Sequence, residues 1–227
     1  PTAVFVQVFR QNGIHLSYEE ARGPMGMAKI DHVAELMKID HVKNNWHELY
    51  SRYPASADVE KLYQKLEPEL TKIIMDYSEL VPGVPEVVEN LKGKGIKIGS
   101  TTGYVESMMT ELIPKAAEQG FTPDSIVCSS EVPTGRPAPW GVFLNAQRMN
   151  VYPLSEMVKI GDTLADIQEG LNADMWTIAC TKSGNEIGLS EKQVSQLDPV
   201  ELKSRIKTAE KKFIEAGAHY VIEGVWD

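Results

Sequence analysis

The sequence has 227 residues, 42% of them hydrophobic, which is enough for one large domain or for a core with a smaller companion. Its formal net charge of −9 at pH 7 argues against a nucleic-acid-binding protein. No apolar run approaches the roughly 18 residues that a membrane helix requires, and the first residues lack a secretion-signal pattern. We therefore expect a cytoplasmic protein that binds neither nucleic acid nor membrane.

The first third of the chain has the pattern of helices. Ser17 followed by Glu20 is a capping box, which predicts that a helix begins there. Apolar residues recur at helical spacing in three further segments, Ala28–Met37, Asn44–Arg52 and Val59–Leu80. We expect residues 1–80 to form a helical domain.

From residue 81 onward, short apolar runs alternate with helical segments. Candidate strands lie at 96–100, 125–129, 157–161, 176–180 and 219–223, and a helix is predicted over 104–119. This alternation predicts an α/β domain over 81–227, a doubly wound parallel sheet covered on both faces. The two cysteines, Cys128 and Cys180, fall in or beside these runs, which predicts buried free thiols rather than a disulfide.

Two carboxylates follow the candidate strand at 157–161. In open α/β sheets, ligands bind beyond the carboxyl ends of the strands, where Asp162 is expected, with Asp166 four residues later. One interpretation makes Asp162 a helix N-cap and Asp166 a solvated acid of the first turn. The other is a Mg²⁺ site, since hard cations bind carboxylate oxygens and would relieve the repulsion between the two acids.

Other strand ends carry groups suited to an anion. Ser100, Thr101 and Thr102 leave the strand at 96–100 and are followed by Gly103, so hydroxyls and backbone N–H groups can form an anion cradle. Arg136, in a turn next to Pro137, offers a guanidinium for a phosphoryl group. A hydroxyl cap and a surface turn are the alternative interpretations. Hydroxyls, a cation and metal-binding acids together form a set for phosphoryl transfer.

The order of these groups resembles the haloacid dehalogenase-like superfamily. Thr102 matches its second motif, Gly135-Arg136-Pro137 its third, and Gly161, Asp162 and Asp166 its G-D-x-x-x-D motif. The resemblance implies a Rossmann-like core with an inserted helical cap, Mg²⁺ at Asp162 with Asp166 in support, and a phosphoryl group held by Thr102, Gly103 and Arg136.

The helical half contains a lysine that indicates one family within this superfamily. Met25, Lys29 and His32 are spaced i, i+4, i+7, so on a single helix they would share one face, where the alternative is a solvated lysine. A lysine lying against Met25 and near cations would lose proton affinity and could attack an aldehyde.

Together with "IKIGSTTGY" and "GRPAPW", this stretch resembles the phosphonoacetaldehyde hydrolase (phosphonatase) family. The resemblance implies that Lys29 forms a Schiff base with the substrate aldehyde and that Met25 and His32 line it. Tyr104 matches a family position near the seam between core and cap.

The family's first motif, an aspartate nucleophile in a D-x-x-G-T setting, does not occur among the 227 residues. We expect the natural protein to extend beyond both ends of this sequence. The resemblance then implies hydrolysis of phosphonoacetaldehyde to acetaldehyde and phosphate, with Mg²⁺, in a homodimer formed through the cap. The alternatives are a related phosphatase acting on a small phosphate ester, a lysine-dependent aldolase, and a truncated, non-catalytic phosphate- or aldehyde-binding protein.

Overall fold

The structure is a computed structural model that describes all 227 residues. Helices are the only regular elements before residue 80. They are α1 (Thr2–Gln11), α2 (Tyr18–Arg22), α3 (Lys29–Lys38), α4 (Asp40–Tyr50) and α5 (Ser56–Ile73), which continues as a short 3₁₀ helix over Ile74–Tyr77. No helix of the chain has both the length and the apolarity needed to cross a bilayer.

Strands and helices alternate after residue 80. They are α6 (Val84–Gly93), β1 (Gly99–Thr101), α7 (Glu106–Glu118), β2 (Ser125–Val127), α8 (Trp140–Met149), β3 (Val158–Gly161), α9 (Leu164–Asn172), β4 (Trp176–Cys180), α10 (Glu191–Gln196), α11 (Pro199–Glu215) and β5 (Tyr220–Ile222). The five predicted strands are therefore confirmed, although most are shorter than predicted. The two cysteines are free and buried, as predicted.

The helical half folds as the spacing of its apolar residues predicts, with adjusted boundaries. Ser17 and Glu20 form the predicted capping box at the start of α2. The helix predicted from residue 44 begins four residues earlier, and the helix predicted over 59–80 ends at Ile73. Leu62, Leu66 and Leu70 recur every fourth residue of α5, and all three are buried against the other helices.

One apolar cluster joins the two halves of the chain. It contains 18 buried residues, nearly all from α1 to α5, and includes Phe5, Phe9 and Leu36. Met108 of α7 belongs to the same cluster, and Tyr104, which precedes α7, packs against it. Contacts of this kind across the seam position the loop after β1 against the helical half.

All strand pairings are parallel, but the strands form two separate sheets. β1 pairs with β2, with Gly99 opposite Ser125, and the second sheet has the order β3-β4-β5. No strand among the 227 residues lies between β1 and β3.

The two faces of the β3-β4-β5 sheet differ in how far helices cover them. One face of the β3-β4-β5 sheet packs on α9 and α11 through Ile167, Ala179 and Phe213. The side chains on the other face are exposed, and they include Val158, Ile160, Trp176 and Tyr220.

Glycines allow the loop between α2 and α3 to contact the core loops directly. A Cβ at Gly103 would lie 2.2 Å from the Met27 carbonyl oxygen, and a Cβ at Gly135 would lie 2.7 Å from the Ala28 Cβ. Gly26 has φ +94°, and a Cβ there would lie 2.2 Å from Thr163 Oγ1. The loop that leads into Lys29 is therefore held against three separate segments of the α/β half.

We predict that Gly103→Ala destabilises the protein, because the new methyl group meets a backbone carbonyl that cannot move without displacing the loop. A loss of about 1–3 kcal/mol in the free energy of unfolding is expected, measured by urea denaturation. Gly93→Ala is the matched control, since nothing lies within 4 Å of a Cβ there at the end of α6. Equal stability of the two variants would contradict the tight seam.

Candidate active site

Lys29, the first residue of α3, lies at the seam between the two halves. Its side chain is buried, with 6% of the residue exposed, although lysine is normally a surface residue. The ammonium lies 3.8 Å from Met25 Sδ and 5.1 Å from the centre of the Tyr104 ring. Because Tyr104 follows β1, the lysine of the helical half faces a strand end of the α/β half.

The surroundings of Lys29 favour its neutral form. Burial, and then the positive charge of Arg136, lower the pKa of Lys29 from its ordinary 10.5 to about 8. At pH 7 about one such amine in ten is then neutral, compared with about three in ten thousand for an ordinary lysine. Since only the neutral amine has a free lone pair, Lys29 is chemically prepared to act as a nucleophile.

The three residues predicted to share one helix face are brought together differently. α3 begins at Lys29, so Met25 lies in the turn before the helix, and the single-helix prediction is wrong. The contact between Met25 and Lys29 exists because the turn folds back on the helix start. Lys29 and His32 do lie one turn apart on α3, and both are buried.

His32 is a neutral imidazole with one nitrogen free. Its Nε2 donates to the Ala21 carbonyl at 3.0 Å, and its ring stacks on Phe5 with 4.0 Å between centroids. Burial, and then the charge of Lys29, lower the pKa of His32 to about 3. Its Nδ1 is buried without a hydrogen-bond partner, so an acceptor is left over close to the lysine.

Thr102 and Gly103 stand at the carboxyl end of β1. The Thr102 N–H donates to the Val127 carbonyl at 3.0 Å, and the Thr102 hydroxyl oxygen accepts from the Tyr104 N–H at 3.1 Å. The N-cap of α7 is Val105, so Thr102 does not cap this helix.

Burial raises the pKa of Tyr104, which keeps its phenol protonated beside Lys29.

Arg136 and Asp166 form a buried ion pair. The Arg136 guanidinium donates to Asp166 Oδ1, and 12% of the arginine side chain and 5% of the aspartate side chain are exposed. The Thr163 hydroxyl donates to Asp166 Oδ2 at 2.6 Å. Burial alone would raise the pKa of Asp166, but the charges of Lys159 and Arg136 hold it well below the ordinary range. Arg136 is therefore not in a solvated surface turn.

The helix-cap interpretation of the two acids is wrong. The N-cap of α9 is Thr163, and Asp166 completes a capping box with it instead of being solvated. Asp162 precedes the helix, and its Oδ2 accepts from the Asn185 N–H at 2.9 Å. The two acids, which the sequence pattern treats as a pair, therefore have different partners in the structure: Asp166 forms ion pairs with two cations, and Asp162 forms none.

Whether the residues at the end of β3 can hold Mg²⁺ depends on Asp162. Burial, and then the negative charge of Asp166, raise the pKa of Asp162, which a divalent cation beside it would reverse. No group of three or more His, Cys, Asp and Glu side chains converges anywhere in the chain. Mg²⁺ commonly takes one or two carboxylates and keeps several waters, so Asp162 fits as a single protein ligand with Asp166 behind it.

Sequence reasoning missed Lys159 and Glu169, and it assigned Thr101 to an anion cradle, whereas its hydroxyl bonds to these two residues. The Lys159 ammonium lies 2.6 Å from Glu169 Oε2, 2.8 Å from Thr101 Oγ1 and 3.0 Å from Asp166 Oδ1. A signal was present, because a lysine in the middle of the apolar strand run 157–161 requires a buried partner. The partner itself cannot be identified from local sequence.

We predict that Lys29→Met stabilises the folded protein at pH 7, by on the order of 3 kcal/mol, because it removes a buried ammonium. Between pH 8 and 10.5 the unfolded wild type binds more protons than the folded form, so wild-type stability rises with pH there. The advantage of the variant should shrink over that interval, measured by urea denaturation at several pH values. Lys38→Met, at the exposed end of the same helix, is the control and should show no such trend; a constant difference for Lys29→Met would contradict the lowered pKa.

Comparison with known proteins identifies the family of this chain. The family model of the haloacid dehalogenase-like hydrolases matches residues 2–174. A phosphonoacetaldehyde hydrolase-like protein of Syntrophobacter fumaroxidans is 48% identical over 227 residues, covering 100% of this chain and 82% of the relative. The phosphonoacetaldehyde hydrolase of Bacillus cytotoxicus is 45% identical over 223 residues, covering 98% of this chain and 84% of the relative.

A solved structure is similar over the whole chain. The crystal structure of a phosphonoacetaldehyde hydrolase-like protein from Oleispira antarctica superposes with a TM-score of 0.96 at 37% identity, covering 100% of this chain and 82% of that one. The predicted fold class, a Rossmann-like core with a helical cap, is confirmed. The chain is an enzyme of the haloacid dehalogenase-like hydrolases and belongs, with these relatives, to the phosphonoacetaldehyde hydrolase family.

Proposed function

We propose that this enzyme hydrolyses the carbon–phosphorus bond of phosphonoacetaldehyde, giving acetaldehyde and phosphate. The observation that carries the proposal is Lys29, a buried amine with its pKa lowered to about 8 at the seam between cap and core. A simple phosphatase has no use for a neutral amine in this position. The names of the relatives support the choice of substrate.

The cap residues act on the aldehyde end of the substrate. The neutral Lys29 amine attacks the aldehyde carbon, and loss of the carbonyl oxygen as water leaves a protonated imine. The free Nδ1 of His32 is the group that can accept and return protons during this exchange. Met25 and Tyr104 exclude bulk water around the lysine and so favour its neutral form.

The core residues act on the phosphonyl end. Once the imine has formed, the electron pair of the carbon–phosphorus bond can move onto carbon, and an enamine on Lys29 results. Thr102, Gly103 and Arg136 bind the phosphonyl oxygens, with the guanidinium held by Asp166. The family's phosphoryl acceptor is an aspartate with no counterpart among the 227 residues, and we propose that such an aspartate receives the group before water releases it as phosphate.

Mg²⁺ is the proposed cofactor. Asp162 would hold it directly, and Asp166 would support the site from behind. When bound, Mg²⁺ would supply neutralisation of the negative charge on the phosphonyl oxygens.

We also propose a cytoplasmic homodimer that forms through the cap. Trp46 is buried in the cap cluster, so it is not available for such a contact. Leu49, Tyr50 and Tyr53 are exposed at and beyond the end of α4, and they support a cap surface that a second copy can cover. The two free thiols support a reducing compartment.

We predict that borohydride, added with phosphonoacetaldehyde, attaches a stable adduct to Lys29, found by peptide mass spectrometry. Lys29→Arg should lose both the adduct and phosphate release, because a guanidinium does not form this imine. Lys38→Arg in the same helix is the control and should keep both. Phosphate release without an adduct would favour a phosphatase, and an adduct without phosphate release would favour an aldolase; either result contradicts the proposal.

We predict that kcat/KM rises about tenfold per pH unit below pH 8 and levels off above it, because the reacting amine must be neutral. Steady-state phosphate release between pH 5.5 and 9.5 measures this dependence. A profile that is flat between pH 6 and 8 would show that the neutral form of Lys29 does not limit the reaction.

A further inference from the structure

A cluster of buried charges lies beneath the carboxyl ends of β1 and β3, behind the groups assigned to the substrate. Its centre is Lys159, whose ammonium has three acceptors, in Thr101, Asp166 and Glu169, at 2.6 to 3.0 Å. The Thr101 hydroxyl in turn donates to Glu169 Oε2 at 3.0 Å. Since an ammonium has three donors, Lys159 is fully bonded and held in one place.

The surrounding packing fixes this cluster closely. A Cβ at Gly170 would lie 2.8 Å from the Lys159 Cβ, and a Cβ at Gly141 would lie 3.0 Å from Glu169 Oε1. Helices α8 and α9 therefore approach the two charged side chains to contact distance. This packing leaves little space beside the Lys159 stem and the Glu169 carboxylate.

The cluster connects residues from two strand ends of the site. β1 and β3 do not pair directly with each other, and the Lys159 side chain reaches from one to the other. Thr101 directly precedes Thr102 of the phosphonyl-binding group, and Lys159 lies three residues before Asp162. The bond between Thr101 and Lys159 is thus a direct link between the two strand ends.

The cluster also helps to hold Arg136, the cation proposed to bind the phosphonyl group. Asp166 Oδ1 accepts from both Lys159 and Arg136, so the lysine holds the carboxylate that in turn holds the guanidinium. Stability alone is a weak reason for such a cluster, because apolar residues of similar volume often replace buried ion pairs at no cost.

We propose that Lys159, with Glu169 as its counter-ion, is a positioning residue for phosphonyl binding, which sets the place of Arg136 through Asp166 and holds the hydroxyl of Thr101, the neighbour of Thr102. The inference deepens the proposed function and rests on it. It predicts damage confined to the phosphonyl end of the site, with the Lys29 end intact.

The experiment compares the intact wild-type protein with Lys159→Met, with the charge-neutral double variant Lys159→Met/Glu169→Gln, and with Lys182→Met. Three quantities are measured: turnover of phosphonoacetaldehyde, binding of inorganic phosphate by calorimetry, and borohydride trapping of acetaldehyde on Lys29. Lys182 is the matched control, since it pairs with Glu223 at 3.5 Å on the surface near the same sheet edge. Thermal melting shows which variants are folded.

Lys159→Met should lower turnover by about 100-fold, because misplaced binding groups lose catalysis steeply with distance. Phosphate binding should weaken by about tenfold, as expected when a charged hydrogen-bonding group is displaced. Trapping of acetaldehyde on Lys29 should stay at the wild-type level, and Lys182→Met should match the wild type throughout. If the single variant does not fold, the same three measurements on the double variant test the proposal, because that variant removes the lysine and its counter-ion together and leaves no unpaired buried charge.

Two results would overturn the inference. In one, the folded variants bind phosphate and turn over substrate within twofold of the wild type; in the other, they lose acetaldehyde trapping together with phosphate binding, as general damage to the fold would cause. Failure of the proposed function is distinct, because the wild type itself would then show no adduct on Lys29 or release no phosphate. The comparison of phosphate binding tests the positioning role even in that case.

Discussion

The arrangement of this enzyme depends on one close contact, the packing of the loop at residues 25–28 against three core segments. Glycines at 26, 103 and 135 leave no space for side chains at this seam, so the loop reaches the core at backbone distance. Lys29 follows the loop directly and is buried there, where the positive charge of Arg136 acts on it. The lowered proton affinity of the amine is a consequence of how cap and core meet.

The charged side chains of the core are of two kinds: several form ion pairs with one another, and Asp162 forms none. Asp166 is neutralised by Arg136 and Lys159, and Glu169 by Lys159, so these side chains hold one another. Asp162 forms no ion pair; burial, and then the charge of Asp166, raise its pKa, and the charge of Arg136 offsets only part of that rise. A divalent cation beside such a buried acid would lower the electrostatic energy.

The fold and the placement of the candidate site residues at strand ends could be predicted from the sequence because their signals are local. Short β-rich runs that end in Ser, Thr or Asp indicate strand ends, and "GDTLADIQEG" and "GRPAPW" are compact motifs. Long-range features could not be predicted. Glu169 contacts Lys159, which is ten residues away in the sequence, and Thr101, which is 68 residues away, and no local pattern encodes either contact. The turn that carries Met25 back to Lys29 likewise depends on tertiary packing.

The central claim is that one small molecule contacts the cap amine and the core cation at the same time. The most direct test is a crystal structure of the enzyme after borohydride reduction with phosphonoacetaldehyde, which leaves a phosphonoethyl group on the lysine. The account predicts that this group extends from Lys29 Nζ into the core, with its phosphonyl oxygens bonded to Thr102 and Arg136. A phosphonyl group that points into solvent or into the cap, with Arg136 still bonded only to Asp166, would contradict it.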